Sequence, residues 1–163
     1  MAEHSFPSVP GVYTLVIGLA EATTLHIGGL GVQRFPVGFY TYTGSARGRK
    51  SMNLKNRIRR YLVEGGKKHW HIDYLLGSDA FRLRAVVFVE TSLDVECAIS
   101  RELAALEEAE IIVRGFGASD CRGGCPSHLC FFPKTNYEEL TEKVASPFRK
   151  VGTPKILPFW QRV

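Results

Sequence analysis

No run in this 163-residue chain is apolar for long enough to cross a bilayer, so no transmembrane helix is predicted. The opening residues MAEHSFPSVPG lack the charged-then-apolar order of a secretory signal, and the expected compartment is the cytoplasm. Internal repeats and low-complexity tracts are missing, which excludes solenoids and compositionally driven disorder. Cysteine is scarce, with only Cys97, Cys121, Cys125 and Cys130, and in a cytoplasmic chain these are not expected to form disulfides. Acid is almost lacking from residues 47–68, RGRKSMNLKNRIRRYLVEGGKK, which hold nine Lys or Arg against Glu64 alone.

What is there is a globular composition, 45% hydrophobic and 23% charged, in a length suited to one domain. The net charge is +5, which favours a polyanionic partner. Residues 90–110 reverse the balance, with seven acids and one base, Arg101. A basic stripe is the footprint of a phosphate-binding surface, although a solvated helix face on a basic protein carries the same pattern. Arg47, Arg49, Lys50, Lys55, Arg59, Arg60, Lys67, Lys68, His69 and His71 are the candidate nucleic-acid contacts.

Alternation and β-branching predict strands at GVYTLVI (11–17), TTLHI (23–27, as the hairpin partner of the first), VGFYTYTG (37–44) and LRAVVFVE (83–90). Leu54, Ile58, Tyr61 and Leu62 recur at helical spacing and predict a helix over 53–63. IDYLL (72–76) could form a short helical turn. A longer helix is predicted over 92–110, capped by Thr91 or Ser92, and a polar one over 136–144. The order implies an α+β domain, an antiparallel sheet with helices packed on it. Residues 1–133 form its body and 134–163 a C-terminal helix and tail packed on the same domain.

Arg57 and Tyr61, four apart on the first helix, share a face. Pairing of the strands would bring Tyr13 and Tyr42 near them. A guanidinium beside phenols can grip a phosphate through its forked donors and favours phenolate. Tyrosines on strands are also simply good sheet residues. Glu96 precedes Ile99 and Leu103 on the apolar stripe of its helix, where a carboxylate is costly unless paired or metal-bound. A first-turn glutamate also suits the helix dipole.

The tripeptides GVY (11–13) and YTG (42–44), followed by Arg57 and Tyr61 in a helix and Glu96 at the start of a later one, resemble the GIY-YIG nuclease family. HWHIDYLL and GFGASDC resemble a branch of that family whose members occur alone or fused to DNA glycosylases of the endonuclease III type. The resemblance implies a small antiparallel sheet flanked by helices, here with a Cys/His-containing C-terminal extension. It also implies a metal-dependent DNA endonuclease in repair or processing, acting on branched or damaged DNA and associating with a base-excision glycosylase. In that reading Tyr13 activates water as general base or hydrogen-bond relay, and Tyr42 supports the nucleophile or the phosphate. Arg57 neutralises the scissile phosphate, Tyr61 assists proton transfer, and Glu96 ligates Mg²⁺ or Mn²⁺. The 28 residues between Tyr13 and Tyr42 exceed the family's usual hairpin, so an inserted strand or loop is expected. The asparagine many relatives carry after the glutamate has no clear match; Asp120 or Ser119 could stand there. A catalytically idle nucleic-acid-binding module, or a partner of a repair protein, is the competing expectation.

CRGGCPSHLC gives C-x₃-C-x₂-H-x-C, so Cys121, Cys125, His128 and Cys130 could hold a structural zinc, with His69 or His71 as replacements. Alternatively Cys121 and Cys125 lie near the active site with Asp120. Cys97, between apolar residues on a helix, reads as core. His69, His71 and Asp73 alternate, so an extended strand would put them on one face for a metal or a phosphate. The alternative is a packed corner around Trp70 with surface histidines.

Overall fold

A computed structural model describes residues 5–48, 52–62 and 66–159. Five strands form one antiparallel sheet in the order β6-β4-β1-β5-β7: β1 (Gly11–Leu19), β4 (Gly38–Ala46), β5 (Phe81–Glu90), β6 (Leu129–Phe132) and β7 (Lys155–Pro158). Strand β1 is central and almost wholly buried, which is why its sequence is apolar or Thr at nearly every position rather than strictly alternating. Its odd-numbered residues, Tyr13, Leu15, Ile17 and Leu19, enter one core with Tyr40, Tyr42, Val86 and Phe88. Val12 and Val16 enter a second core on the other face, with Ala85, Val87 and Val89. A register shift at Val16/Ile17 marks an irregularity in the β1–β5 ladder.

Helices α1 (Leu54–Leu62) and α2 (His71–Leu76) cover the first face, burying Leu54, Ile58, Tyr61, Ile72 and Leu75. The side chain of Asn53 accepts a hydrogen bond from the Asn56 N–H (3.0 Å) at the start of α1, which satisfies one orphan donor there. Helices α3 (Glu96–Ala104) and α4 (Tyr137–Phe148) cover the second face through Ile99, Leu103, Leu140, Val144 and Phe148. Asn136 caps α4 by accepting from the Glu139 N–H at 2.8 Å.

Several expectations change. TTLHI does not pair with β1: β2 (Thr23–His26) joins β3 (Val32–Phe35) in a separate two-stranded ribbon. That ribbon is the insertion expected between Tyr13 and Tyr42. Helix α3 starts at Glu96, not at residue 92, because Thr91 Oγ1 accepts from the Leu93 N–H in a local turn and competes with helix initiation. It stops at Ala104, and Glu110 instead exchanges two backbone hydrogen bonds with Phe131. Sheet pairing there overrides the helix propensity of ALEEAE. Strands β6 and β7 were not foreseen; each is only four residues long.

Candidate functional site

Strand β1 begins and β4 ends at the same end of the sheet, with Tyr13 opposite Gly44 and Thr43 opposite Thr14. A cleft of about 490 Å³ opens at this end. Tyr13 from β1, Tyr42 from β4, Arg57 from α1 and Glu96 from α3 all line it. The packed helices α1 and α3 lie on opposite faces of the sheet, but Glu96 occupies the first turn of α3 and reaches the cleft. Tyr61 does not line it. The Tyr61 hydroxyl instead forms a short hydrogen bond with that of Tyr13, so it stands one phenol behind the cleft.

The glycines beside these tyrosines have steric causes. A Cβ on Gly44 would lie 2.5 Å from the Tyr13 hydroxyl, and one on Gly11 2.6 Å from the Val89 carbonyl oxygen. Gly44 therefore makes room for the Tyr13 phenol. Gly44→Ala is expected to destabilise the fold by about 1–3 kcal/mol, readable as a lowered denaturant midpoint at unchanged slope.

Between phenolate and phenol, the electrostatics favours phenol. Burial drives the Tyr13 and Tyr42 hydroxyls well above the ordinary tyrosine range, and the opposing pull of Arg57 is the smaller effect. Tyr61 is pushed up to about 12, again by burial first. All three are phenols at neutral pH. The Glu96 carboxyl is raised to about 7 by burial, then by repulsion from Asp94 and Asp120, against the smaller attraction of Arg57 and Arg47.

The wall opposite α3 is built from residues 69–71. His69, Trp70 and His71 line the cleft. They do not form an extended strand with Asp73, because His71 opens α2 and Asp73 lies in its first turn. Asp73 Oδ2 accepts from the backbone N–H groups of His69 and Trp70, each at 2.8 Å, and from Arg60 at 2.8 Å. It is a local cap and ion pair, not a member of a metal triad. His71 Nδ1 accepts from the Gly117 N–H at 2.8 Å, and burial lowers the imidazole from its ordinary value. A neutral His71 therefore carries its proton on Nε2. The indole of Trp70, which sequence reasoning passed over as packing, lies within 4.1 Å of the Arg57 guanidinium and 4.2 Å of that of Arg60. Such stacking holds a guanidinium in place.

Of the candidate basic contacts, Lys55, Arg59, Lys67 and Lys68 are exposed. Arg60 is a correction: its bonds to Asp73 and to the Lys67 carbonyl commit it to holding α1 against the 67–73 segment. Arg47 is exposed on the cleft wall and paired with Asp94 at 2.8 Å. Arg49 and Lys50 lie outside the described residues.

The loop over 115–128 closes the cleft, contributing Gly117, Ser119, Asp120, Cys121 and His128. It is fixed by Thr43 N–H donating to the His128 carbonyl and His128 N–H to the Phe116 carbonyl. The thiol cluster differs from the spacing-based set. Cys97, Cys121, Cys125 and His128 converge, whereas Cys130 lies buried on β6 in the second core. Cys97 is thus a cleft residue and not core filler; no local pattern around ECAIS could have revealed this.

The family described as "Domain of unknown function DUF123" matches residues 12–152, and the chain belongs to it. The match spans every element named above except β7 and the first residue of β1. No curated protein matches the chain, and no solved structure does.

Proposed function

We propose that the protein is a metal-dependent DNA endonuclease of the GIY-YIG type that hydrolyses phosphodiesters in DNA repair or processing. The observation that carries this reading is the meeting of Tyr13, Tyr42, Arg57 and Glu96, from four separate elements, around one solvent-open cleft. A guanidinium, phenols and a carboxylate in one cleft match the needs of phosphodiester attack. The phosphorane-like transition state gains negative charge, the water must lose a proton, and the leaving oxygen must gain one.

The donor set fits a hard divalent cation. Glu96 offers a carboxylate oxygen, and Asp94 and Asp120 add negative charge beside it. Glu96 would hold Mg²⁺ or Mn²⁺, with waters completing its shell. When bound, the ion supplies charge stabilisation to the phosphate oxygens and lowers the pKa of attacking water. Arg57, held against Trp70, binds and orients the scissile phosphate through its forked donors. Tyr13 acts as a hydrogen-bond relay rather than a resident base, since its burial disfavours phenolate. Its hydrogen bond to the Tyr61 hydroxyl holds the phenol in place at the cleft. Tyr42, which also lines the cleft, orients the nucleophile or the phosphate by hydrogen bonding, and the Nε2–H of His71 is a further donor for phosphate oxygen.

DNA approaches over the exposed bases of α1 and the 67–68 segment. Because Arg60 is engaged, Lys55 and Arg59 are the informative pair. Lys55→Ala with Arg59→Ala is expected to weaken binding to every DNA sequence alike and to reduce the slope of log affinity against log salt by about 1–2, one per lost phosphate contact. Fluorescence anisotropy across a salt series measures it; an unchanged slope would assign α1 a solvated face. Cleavage itself is tested with supercoiled plasmid and branched oligonucleotides, in Mg²⁺ or Mn²⁺ and in chelator. Metal-dependent nicking is the expected result.

A further inference from the structure

The first turn of α3 carries two chemistries. Glu96 faces the hard-cation side of the cleft, and Cys97 faces a cluster of soft donors. We infer that Cys97, Cys121, Cys125 and His128 form a tetrahedral zinc site that pins the 115–128 loop to the start of α3.

The ligand atoms of these four residues all lie within 4.8 Å of one another. Three come from the 115–128 loop and the fourth, Cys97, from α3, 24 residues before Cys121, so sequence proximity does not explain the arrival of Cys97. The Cys97 and Cys121 sulfurs are 3.3 Å apart, far beyond the roughly 2.05 Å of a disulfide. Two sulfurs each about 2.3 Å from a tetrahedral zinc stand about 3.8 Å apart, so a small outward movement of this pair admits the ion. A second observation points to the same ligand. His128 is 3% exposed, yet among the described residues neither ring nitrogen has a hydrogen-bond partner. The Glu96 carboxylate is 3.8 Å from its Nδ1, too far to satisfy it. A buried imidazole without a partner is rare unless something else takes its lone pair, and a metal ion does so.

Three thiols and one imidazole select zinc over magnesium or manganese, which prefer oxygen. Binding deprotonates the thiols and releases their protons. Four protein ligands would fill the tetrahedron, so the site is structural, not hydrolytic. Its effect is mechanical. The N-cap of α3 is Val95, which offers no side-chain cap, and a zinc–Cys97 bond would fix that first turn in place of one. The zinc site stands independently of the nuclease reading; only its benefit to Glu96 rests on that reading.

The full chain is expressed with zinc in the medium, purified without chelator, and assayed for metal by mass spectrometry of the elements. One zinc per chain is expected. Cobalt substitution should give thiolate-to-metal charge-transfer absorption and the visible bands of a tetrahedral site. Cys97→Ser should lower zinc affinity more than about 100-fold, beyond the loss typical of an outer-shell partner, whereas Cys130→Ser should keep full zinc content. Wild-type protein lacking zinc and showing no cobalt spectrum would overturn the site, as would loss of zinc in Cys130→Ser with retention in Cys97→Ser. A Cys97–Cys121 disulfide in protein isolated under reducing conditions would also overturn it. These readouts need no DNA, so a protein that binds zinc but cuts nothing retains the zinc site and loses the nuclease reading.

Discussion

Glu96→Gln is expected to reduce DNA cleavage by more than about 100-fold while leaving DNA affinity nearly unchanged. The amide keeps the shape of the side chain but loses the charge that a hard cation needs, and one preorganised charge commonly carries a factor on the order of 100 or more in rate. The basic surface of α1 is untouched, so binding persists. Acidity gives an independent readout. The Glu96 carboxyl titrates near 7, so the folded protein holds a proton there that the unfolded chain releases at lower pH. Stability from this residue is therefore present in acid and falls as pH rises from the ordinary carboxyl range through about 7. Glu96→Gln removes that fall, and the variant is expected to melt higher than the wild type at pH 8 without divalent cation. Added Mg²⁺ or Mn²⁺ should stabilise the wild type more at pH 8 than at pH 6, and the variant at neither. A variant that lost activity by unfolding would melt lower at both.

Arg57→Ala is expected to slow cleavage by a similar factor and to weaken binding as well, because the guanidinium would touch the scissile phosphate in both ground and transition states. Arg57→Lys separates charge from geometry. Lysine keeps the charge but loses the planar fork and the stack on Trp70. Rates for Arg57→Lys close to those of Arg57→Ala would assign the effect to forked recognition; near wild-type rates would assign it to charge alone. Single-turnover kinetics at saturating protein distinguish these from a binding defect.

How much of this was legible in the sequence follows from the range of each signal. The three long strands announce themselves as runs of β-branched and aromatic residues buried on both faces, and α1 does so because burial of one face imposes a helical period. Four-residue strands do not: LCFF sits in a cysteine-rich stretch and KILP beside prolines. The 69–73 segment misled because alternation over five residues suits a strand and a capped helix start equally. Asp73 decides between them by accepting two backbone donors. Of the five residues expected to converge, Tyr13, Tyr42, Arg57 and Glu96 line the cleft, while Tyr61 stands behind Tyr13; the choice between phenol and phenolate was open in the sequence, since the desolvation that overrides Arg57 depends on packing no spacing reveals. Cys97 and Cys121 are 24 residues apart. Cys130 fitted the spacing of a zinc motif better, yet it lies on β6 opposite Thr41, where the sheet turns it into the core.

The most direct test of the central claim is single-turnover incubation of the full chain with branched oligonucleotides and supercoiled plasmid, in Mg²⁺, Mn²⁺ or chelator. Glu96→Gln is purified and assayed in parallel, and DNA binding is measured on the same samples. The account predicts strand cleavage by the wild type in either metal, none in chelator, and none by Glu96→Gln despite equal binding. Tight binding with no cleavage of any substrate in either metal would contradict it and leave a binding module, while cleavage surviving in Glu96→Gln would remove Glu96 from the chemistry.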